Sequence, residues 1–414
     1  MQLEPSETAR ELIDRVSLFF DKEILPRDPE FRVALAQGDP APAFLAELKA
    51  AARAEGLWNM ALPMLAENEP GTRLCNLDFA YIAEILGRLP WASEVFNCHA
   101  PDVPNMEILQ RFADQDQKAR WLAPLLNAEC RSAFAMTEPD VASSDATNIA
   151  ARIERVGDVY RINGRKWFAT GAGRPECRFL ILVGVTDPEA ARDRRHSLVI
   201  VPTDTPGLRL VRDHPVFSHV DAVAPHSELL FENVEVPVGH RLGGEGDGFL
   251  IGQARLGPAR IHHCMRAIGR CEVLLRLMLE RAAARESFGR RIRDYANLQD
   301  AVALSRIELE QVRLLVQRAA WRLDRDGNRV ARKDIGMIKV ATARVFQAIA
   351  DRAIQVFGAR GVTDLTPLAD AFSQARAFRI YDGPDEVHLR TIFRLEEREA
   401  LDGGSPLSPR YLDG

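Results

Sequence analysis

The hydrophobic residues of this chain change their spacing twice, and this change limits the fold more than any single motif does. Up to about residue 130 they recur at helical spacing, as at Leu12, Val16 and Phe19. The pattern predicts helices at residues 6–24, 42–54 and 76–89, and shorter helices near residues 106–112 and 116–122 that stop before Pro124. The first third of the chain is therefore expected to be helical.

The middle of the chain alternates apolar and polar side chains, as strands do. Residues 152–156 and 159–162 alternate on either side of Gly157-Asp158, which predicts a hairpin. Asn163-Gly164 is a second turn signal, because type I′ hairpin turns favour that pair. Further strands are predicted at residues 179–185, 197–201, 208–211 and 228–236. A small antiparallel β domain is therefore expected here.

Helical spacing returns at Asp247, in unusually long segments. Four helices are predicted, at residues 249–284, 297–325, 331–357 and 386–401, and helices of this length suggest a bundle with short loops. Residues 324–328 superficially resemble a calcium loop but lack its later glutamate, which favours a turn between helices. The glycine-rich residues 243–248 do not follow a strand and open a βαβ unit. A helix start capped by Asp247 is favoured there over a dinucleotide-binding loop.

Together the patterns predict an α+β protein, mainly α, in three domains. We expect an N-terminal helical domain at residues 1–130, a middle β domain at 131–238 and a C-terminal four-helix bundle at 239–402, followed by a tail at 403–414.

Charge and composition exclude several classes of protein. The net charge of −5 argues against a general nucleic-acid binder. No apolar stretch reaches the roughly 20 residues of a membrane span, and the polar first ten residues carry no signal core. The six cysteines form no Cys-x-x-Cys pair, which favours scattered buried thiols over disulfides or a metal site. A cytoplasmic protein without a metal is therefore expected.

Residues 135–145 read A-M-T-E-P-D-V-A-S-S-D, a loop of hydroxyls and acids around a proline that ends regular structure. Most such stretches are polar turns with an Asx cap. This one resembles the M-T-E-P-x-A-G-S-D signature of the acyl-CoA dehydrogenase flavoprotein family, with one extra residue before Ser144. In that family the loop holds the flavin and touches the acyl-CoA. The family's order of helical, β and helical regions also matches nearly the whole chain.

Three further segments resemble motifs of that family, and each has a plain structural alternative. Residues 165–171 resemble G-x-K-x-W-I-T, whose aromatic ring packs on the flavin; sheet packing is the alternative. Residues 285–289 resemble R-x-T-F-G, which reaches a neighbouring subunit's FAD pyrophosphate; a basic helix end is the alternative. Residues 355–361 resemble Q-x-x-G-G-x-G, which approaches the FAD adenosine; a helix cap is the alternative.

The last motif, residues 381–388, reads Y-D-G-P-D-E-V-H, and a capping loop is its plain reading. The family has Y-E-G-T here, and its glutamate removes the α-proton of the acyl-CoA, so the resemblance makes Asp382 the base. Ala254 occupies the alternative base position of some relatives. This string and residues 260–266 resemble the dehydrogenase modules that eukaryotes fuse to a kinase-like domain. His262 and His263 have no third nearby ligand in the sequence, which favours packing over a metal site.

The resemblance implies FAD as the cofactor, an acyl-CoA substrate, electron-transfer flavoprotein as the acceptor, and a homotetramer built as a dimer of dimers. It assigns cofactor contacts to Phe134, Met136, Thr137, Ser143, Ser144, Phe168, Thr170, Arg285, Ser287, Phe288, Tyr295, Gln355, Gly358, Ala359 and Asp385. It assigns substrate contacts to Ser144, Arg255, Asp382 and Gly383.

Two alternatives stay open at this point. Nitroalkane oxidases of the same superfamily use an aspartate as the base and need no CoA. A non-catalytic relative binds DNA through a basic carboxy-terminal region, and the acidic residues from Glu396 onward argue against it.

Overall fold

The computed structural model describes residues 2–217, 221 and 223–403. They divide into two compact units, with the boundary between Ala259 and Arg260. The predicted tail at 403–414 lies outside the described residues, except for Gly403 at the end of the last helix.

The first unit begins with a series of helices. They are α1 (Glu7–Phe19), α2 (Asp28–Ala36), α3 (Ala43–Ala54), α4 (Asn76–Leu86), α5 (Ala92–Val95), α6 (Asp102–Phe112), α7 (Gln115–Gln117) and α8 (Ala123–Leu126), with π-helical turns at Phe20–Ile24 and Lys118–Leu122. Ser6 caps α1, since its hydroxyl oxygen accepts a hydrogen bond from the Ala9 N–H at 3.2 Å. Pro124 lies in the first turn of α8 and does not end the helical segment, because that position needs no N–H donor.

An eight-stranded sheet follows. Its strands are β1 (Arg131–Ala135), β2 (Arg152–Val156), β3 (Val159–Thr170), β4 (Cys177–Val185), β5 (His196–Pro202), β6 (Leu208–His214), β7 (His226–Pro237) and β8 (Arg241–Leu242). The order is β6-β7-β3-β2-β4-β5-β8, with β1 on β4. Most pairs are antiparallel, as predicted, whereas β1 runs parallel to β4.

The predicted turn at Asn163-Gly164 is wrong. Both residues lie inside β3, and the register with β7 shifts between Ile162 and Gly164. A Cβ on Gly164 would lie 2.7 Å from the Ala151 Cβ, and its φ is +150°. The glycine therefore permits a bulge and a close approach to Ala151.

The sheet is held together by an apolar core and by buried ion pairs at its first strand. The core comprises Ala133, Ala135, Ile153, Tyr160, Ile162, Ala169, Cys177, Leu180, Leu182, Val199, Val201, Leu229, Phe231, Val234 and Val236. Arg131 of β1 lies 2.5 Å from Glu94 and 2.8 Å from Asp102. Burial would raise the pKa of Glu94, but the Arg131 charge holds that pKa at about 2. These pairs tie β1 to the N-terminal helices.

The second unit is helical. Helix α9 (Gly248–Ala284) begins in the first unit and runs into the second, and it is followed by a hairpin of β9 (Glu286–Ser287) and β10 (Arg290–Arg291). Then come α10 (Ala296–Phe357), α11 (Leu368–Phe378) and α12 (Asp385–Gly403). Gly327 has non-helical angles inside α10 (φ 77°, ψ 170°), so two helices meet there. The turn predicted at residues 324–328 is thereby confirmed, while α11 was not predicted.

Asp247 directly precedes α9, and its carbonyl accepts the Ile251 N–H at 2.9 Å, so it lies at the predicted capping position. Its carboxylate accepts a hydrogen bond from the Gly244 N–H at 2.8 Å and pairs with Arg194, which stabilises the turn before the helix. Five of the six cysteines are buried, but Cys75 is exposed. Among the described residues no helix is long and apolar enough to cross a membrane.

Candidate active site

The loop that follows β1 is anchored by a buried ion pair. The Lys166 ammonium donates to the Glu138 carboxylate at 2.7 Å and to the Met136 carbonyl at 2.9 Å. The same carboxylate accepts the backbone N–H groups of Ala150 and Ala151, each at 2.8 Å. Glu138 therefore joins β3, the 136–145 loop and the start of β2, a role that the sequence motif alone did not reveal.

Burial dominates the chemistry of this pair. Lys166 is fully buried and Glu138 is 5% exposed. Desolvation lowers the pKa of Lys166 to about 8, although the Glu138 charge opposes that shift. A charge buried here is stable only beside a charge of opposite sign. The Lys166–Glu138 pair therefore holds the loop in one conformation.

Three hydroxyl residues of this loop were predicted to meet the ligand, and their structural roles differ. The Ser143 hydroxyl oxygen accepts the Glu138 N–H at 2.9 Å, so Ser143 shapes the loop itself. The Thr137 carbonyl accepts the Trp167 N–H at 3.0 Å, which joins the loop to β3. Ser144 is exposed and is free of any such structural task in the loop's described hydrogen bonds. Of these three hydroxyl residues, Ser144 is the exposed one.

Phe168 is presented by a second irregularity of β3. The register between β3 and β7 shifts between Lys166 and Ala169, and Phe168 has a φ of 48°. Its ring is 41% exposed and stacks on His214, with centroids 5.5 Å apart and an interplanar angle of 12°. A bulge that turns an aromatic ring outward provides an apolar platform for a planar ligand.

Thr170 lies at the end of β3, and its side chain contacts a histidine that the sequence analysis did not predict as a site residue. Its hydroxyl lies 2.9 Å from His226 Nδ1. Burial lowers the pKa of His226, which keeps this ring neutral at pH 7. The contact fixes the direction of the Thr170 hydroxyl.

The structure brings together two of the predicted site residues, Phe134 and Arg255. The Arg255 guanidinium carbon lies 4.1 Å from the centroid of the Phe134 ring, and its Nε donates to Asn105 Oδ1 at 3.0 Å. The Asn105 amide in turn donates to the Ser132 hydroxyl at 2.9 Å. Arg255 is only 7% exposed, so its head group is held by a ring on one side and an amide on the other.

In the second unit, residues 285–289 run from the residue after α9 through β9 to the Phe288-Gly289 turn of the β9–β10 hairpin. Phe288 and Gly289 both have positive φ, 49° and 77°, as a type I′ turn requires. The Phe288 side chain is 97% exposed. The Tyr295 hydroxyl donates to the Ser287 carbonyl at 2.8 Å and thereby stabilises the hairpin. An exposed phenylalanine in the turn of a stabilised hairpin is typical of a residue that another molecule covers.

Residues 355–361 form the end of α10. The Gly358 N–H donates to the Gln355 carbonyl, and Gly358 has a φ of 62°, so the helix ends there by a glycine cap. Ala359, which stands where the family motif has its second glycine, is exposed at the surface of this cap. A Cβ on Gly361 would lie 2.8 Å from the Ile354 carbonyl oxygen, so the next turn folds tightly against α10.

Asp382 lies in the loop between α11 and α12, with a φ of 55°. Its backbone carbonyl accepts the Arg260 Nε–H at 2.8 Å and contacts His388 Nε2 at 3.2 Å. Its carboxylate lies 3.3 Å from His263 Nε2, and the side chain is 18% exposed. Gly383 has a φ of 97° and lies against the His388 ring. The carboxylate is therefore held in a positive-φ turn by contacts at both its backbone and its side chain.

Asp385 differs from its prediction as a capping residue. It is the first residue of α12 and is 2% exposed. Its carboxylate pairs with Arg379 at 2.8 Å and with Arg344 at 3.4 Å. The side chain thus ties the start of α12 to α10 and to the end of α11. Among the described residues no cluster of three or more potential metal ligands occurs.

Three segments of the chain match domain models of one family. Residues 6–129 match the N-terminal domain of acyl-CoA dehydrogenases, residues 133–234 the middle domain and residues 246–395 the C-terminal domain. The chain belongs to the acyl-CoA dehydrogenase family. The predicted fold class is confirmed by this match and by the observed helical, β and helical regions.

Curated members of the family are similar over nearly the whole chain. The Mycobacterium tuberculosis protein named probable acyl-CoA dehydrogenase FadE2 is 48% identical over 387 residues, which are 92% of this chain and 93% of that protein. Acyl-CoA dehydrogenase family member 10 of Mus musculus is 44% identical over 98% of this chain, and member 11 of Gallus gallus is 45% identical over 94%. This chain spans 38% of the length of the first of these two and 51% of the second.

Solved structures support the same assignment. A Mycobacterium abscessus protein classed as an acyl-CoA dehydrogenase superposes with a TM-score of 0.91 at 45% identity, covering 96% of this chain and 99% of its own. The FAD complex of PigA superposes with a TM-score of 0.84 at 25% identity and the same coverage. The butyryl-CoA dehydrogenase of Megasphaera elsdenii shares the fold, with a TM-score of 0.82 at 24% identity, over 96% of this chain and 100% of its own.

Proposed function

We propose that this protein is an FAD-dependent acyl-CoA dehydrogenase in which Asp382 removes the α-proton of an acyl-CoA thioester. The observation that carries the proposal is the Asp382 carboxylate, held in a positive-φ turn at the place where the family motif has its base. Aspartate accepts a proton in the same way as the glutamate of relatives, with a reach about 1.5 Å shorter.

The residues of this chain fit a flavin. Phe168 offers an exposed ring on a bulge for a planar heterocycle, and Thr170 offers a hydroxyl oriented by His226. Arg285, at the base of the hairpin whose turn carries the exposed Phe288, offers a guanidinium whose fork matches pyrophosphate oxygens. The FAD complex of PigA supports the same cofactor here. When bound, FAD supplies the acceptor for the hydride that leaves the β-carbon.

The remaining steps belong to the protein's own groups. Asp382 accepts the α-proton, and its backbone N–H donates to the thioester oxygen, which makes the α-carbon more acidic. Arg260 and His388 hold the Asp382 carbonyl, so the carboxylate and the N–H keep a fixed relation. Ser144 and Arg255 contact the CoA ester.

Cofactor contacts in this proposal are those of the family motifs. On the first unit they comprise Phe134, Met136, Thr137, Ser143, Ser144, Phe168 and Thr170. On the second unit they comprise Arg285, Ser287, Phe288, Tyr295, Gln355, Gly358, Ala359 and Asp385. The hairpin residues among them act on the cofactor of a neighbouring subunit, in a homotetramer built as a dimer of dimers. Phe288 supports this arrangement, because so exposed a ring gains most from being covered.

The electron acceptor in this proposal is electron-transfer flavoprotein, and the protein acts in fatty acid metabolism in the cytoplasm. The substrate carries bulk or a polar group, such as a hydroxyl, near the reacting carbons. Two observations support this proposal. Aspartate is a shorter base than glutamate and leaves more room for the acyl group. The chain is also similar to acyl-CoA dehydrogenase family members 10 and 11, of whose lengths it spans 38% and 51%. Straight-chain, branched and 4-hydroxyacyl-CoA esters of equal length test this point, since a pocket opening of one or two methylenes changes kcat/KM by roughly 10–200-fold.

The experiment for the proposal is anaerobic reduction of the purified holoenzyme. A panel of CoA esters is mixed with the yellow protein, and loss of the 450-nm flavin absorbance, roughly where oxidised flavins absorb, is followed in a stopped-flow instrument. The expected result is bleaching by at least one CoA ester and none by nitroethane. Bleaching by nitroalkanes alone would instead assign the nitroalkane-oxidase chemistry, and a colourless purified protein that takes up no FAD would contradict the flavoenzyme.

A further inference from the structure

Helix α9 presents two side chains one turn apart toward the loop that carries Asp382. His263 Nε2 lies 3.3 Å from Asp382 Oδ2. On the other side of the same ring, an Arg266 guanidinium nitrogen lies 3.0 Å from His263 Nδ1. The three side chains thus form an ordered series, from arginine through imidazole to carboxylate. Neither His263 nor Arg266 was assigned a contact with cofactor or substrate above.

The chemistry of arginine determines the tautomer of His263. A guanidinium can only donate hydrogen bonds, so His263 Nδ1 must accept the one from Arg266. The ring's single hydrogen then lies on Nε2, the nitrogen that lies 3.3 Å from Asp382 Oδ2. A proton on Nδ1 would oppose the Arg266 donor at 3.0 Å, so this contact requires an acceptor at Nδ1.

We infer that His263 is a positioning residue for the base: it donates a hydrogen bond to one oxygen of the Asp382 carboxylate, keeps that group ionised and turns the other oxygen toward the substrate. The inference rests on the proposed role of Asp382 and adds the group through which that carboxylate is controlled. A short carboxylate has few ways to reach its target, so fixing one oxygen restricts the other to a narrow arc.

The surroundings explain why such a donor is needed. The His263 ring lies 5.5 Å from the Tyr381 centroid and 6.3 Å from the Phe378 centroid, so Asp382 ionises beside apolar rings. Apolar neighbours favour the protonated carboxylic acid, whereas a hydrogen bond to the anion favours the carboxylate. The other titratable and charged groups that face Asp382 are Arg260 and Cys264 from α9, Lys339 from α10, Tyr381 from its own loop and His388 from α12.

Arg260 and His388 are distinct from His263 in what they touch. Both contact the Asp382 backbone carbonyl, which holds the loop but not the carboxylate. Burial lowers the pKa of His388 to about 4, so that ring stays neutral through the working range. His263 Nε2, in contrast, lies 3.3 Å from the carboxylate oxygen Oδ2 of Asp382.

The test compares His263→Phe, which keeps an aromatic ring but has no donor, with His263→Gln, which keeps an N–H donor. Both are purified as FAD holoenzymes, and the rate of anaerobic flavin reduction by a reactive CoA ester is measured from pH 5 to pH 10. The acid limb of the profile should move to higher pH by about one unit in the Phe variant, the size of one charge-assisted hydrogen bond. The Gln variant should restore the limb to within a few tenths of a unit. If His263→Phe does not retain FAD, His263→Ala tests the same shift of the acid limb without adding side-chain volume.

A double-variant cycle separates this role from a purely structural one. At pH 7 His263→Phe should reduce flavin about 10–100-fold more slowly in the native background, with flavin content and substrate Kd unchanged. In an Asp382→Asn background the same change should alter the residual rate less than about twofold, because the carboxylate it serves is gone. An unmoved acid limb, or an equal loss in both backgrounds, would overturn the inference. A native rate for Asp382→Asn alone would remove the base assignment first, and the inference with it, and that outcome is recognised from the single variant.

Discussion

Glu107 offers a test of the electrostatics of the first unit that does not depend on the reaction. It lies on α6, two residues after the Asn105 that holds Arg255, and it is 2% exposed. Neither carboxyl oxygen is hydrogen bonded to another residue in the described parts of the chain. Burial raises the pKa of Glu107 to about 8, and the charges of Arg111 and Arg255 reduce that rise only in part. The folded protein therefore carries this carboxyl protonated at neutral pH.

The sign of the pH dependence follows from that proton. The unfolded chain releases it above about pH 4.5, whereas the folded chain retains it up to about pH 8. Stability from this group is therefore fully present below pH 4.5 and is lost as the pH rises through 8. The pKa difference corresponds to at most about 5 kcal/mol at and above pH 8. Glu107→Gln has nearly the same shape and no titrating group, so it should lack this loss.

Urea unfolding at pH 5 and pH 8 measures the effect. The difference between wild type and Glu107→Gln cancels the titration of all other groups. Near pH 5 the two midpoints should be close, and at pH 8 the Gln variant should be more stable by several kcal/mol. If the difference between the two proteins is the same at both pH values, Glu107 is ionised throughout and the reasoning from its burial is wrong.

Three further changes test other parts of the account. Lys166→Met leaves the Glu138 charge buried and should destabilise the protein by about 3–5 kcal/mol in urea, whereas Arg161→Met, on the exposed face of the same strand, should cost less than about 1 kcal/mol. Gly164→Ala should cost roughly 1–3 kcal/mol in the same assay, because its Cβ has no room in the bulge, and an unchanged midpoint would contradict the close approach. Arg285→Ala should lose FAD and loosen the tetramer together; light scattering combined with flavin absorbance checks this, and a fully flavinated native-size assembly would argue against the shared site.

The sequence predicts the long periodic elements well and misses those that depend on distant partners. The long helices α9, α10 and α12 and the strands around Val159 carry strong local patterns, and the structure contains them. Asn163-Gly164 has the composition of a hairpin turn, yet β7 pairs along both sides of it and converts it to a bulge. Only the proximity of Ala151, which the local sequence does not reveal, explains the glycine.

The same limit applies to the candidate site. The five motifs, including the loop at residues 135–145 and the turn at Asp382, were identifiable because each is a short local string. The groups that hold them are remote in sequence: Lys166 reaches back to Glu138, and His263 on α9 reaches Asp382 beyond α11. A single chain displays residue types in order but not their pairing, so His263 could be noticed only as half of a His-His pair. Its partner became evident from the fold.

The most direct test of the central claim is the rate of flavin reduction in Asp382→Asn. The variant keeps the size and polarity of the side chain, so FAD content and acyl-CoA binding should match wild type. Mixed anaerobically with the best CoA ester, it should reduce its flavin at least about 10²–10⁴-fold more slowly, because the proton acceptor is gone. A rate equal to wild type would contradict the account, since the α-proton would then be leaving to a different base.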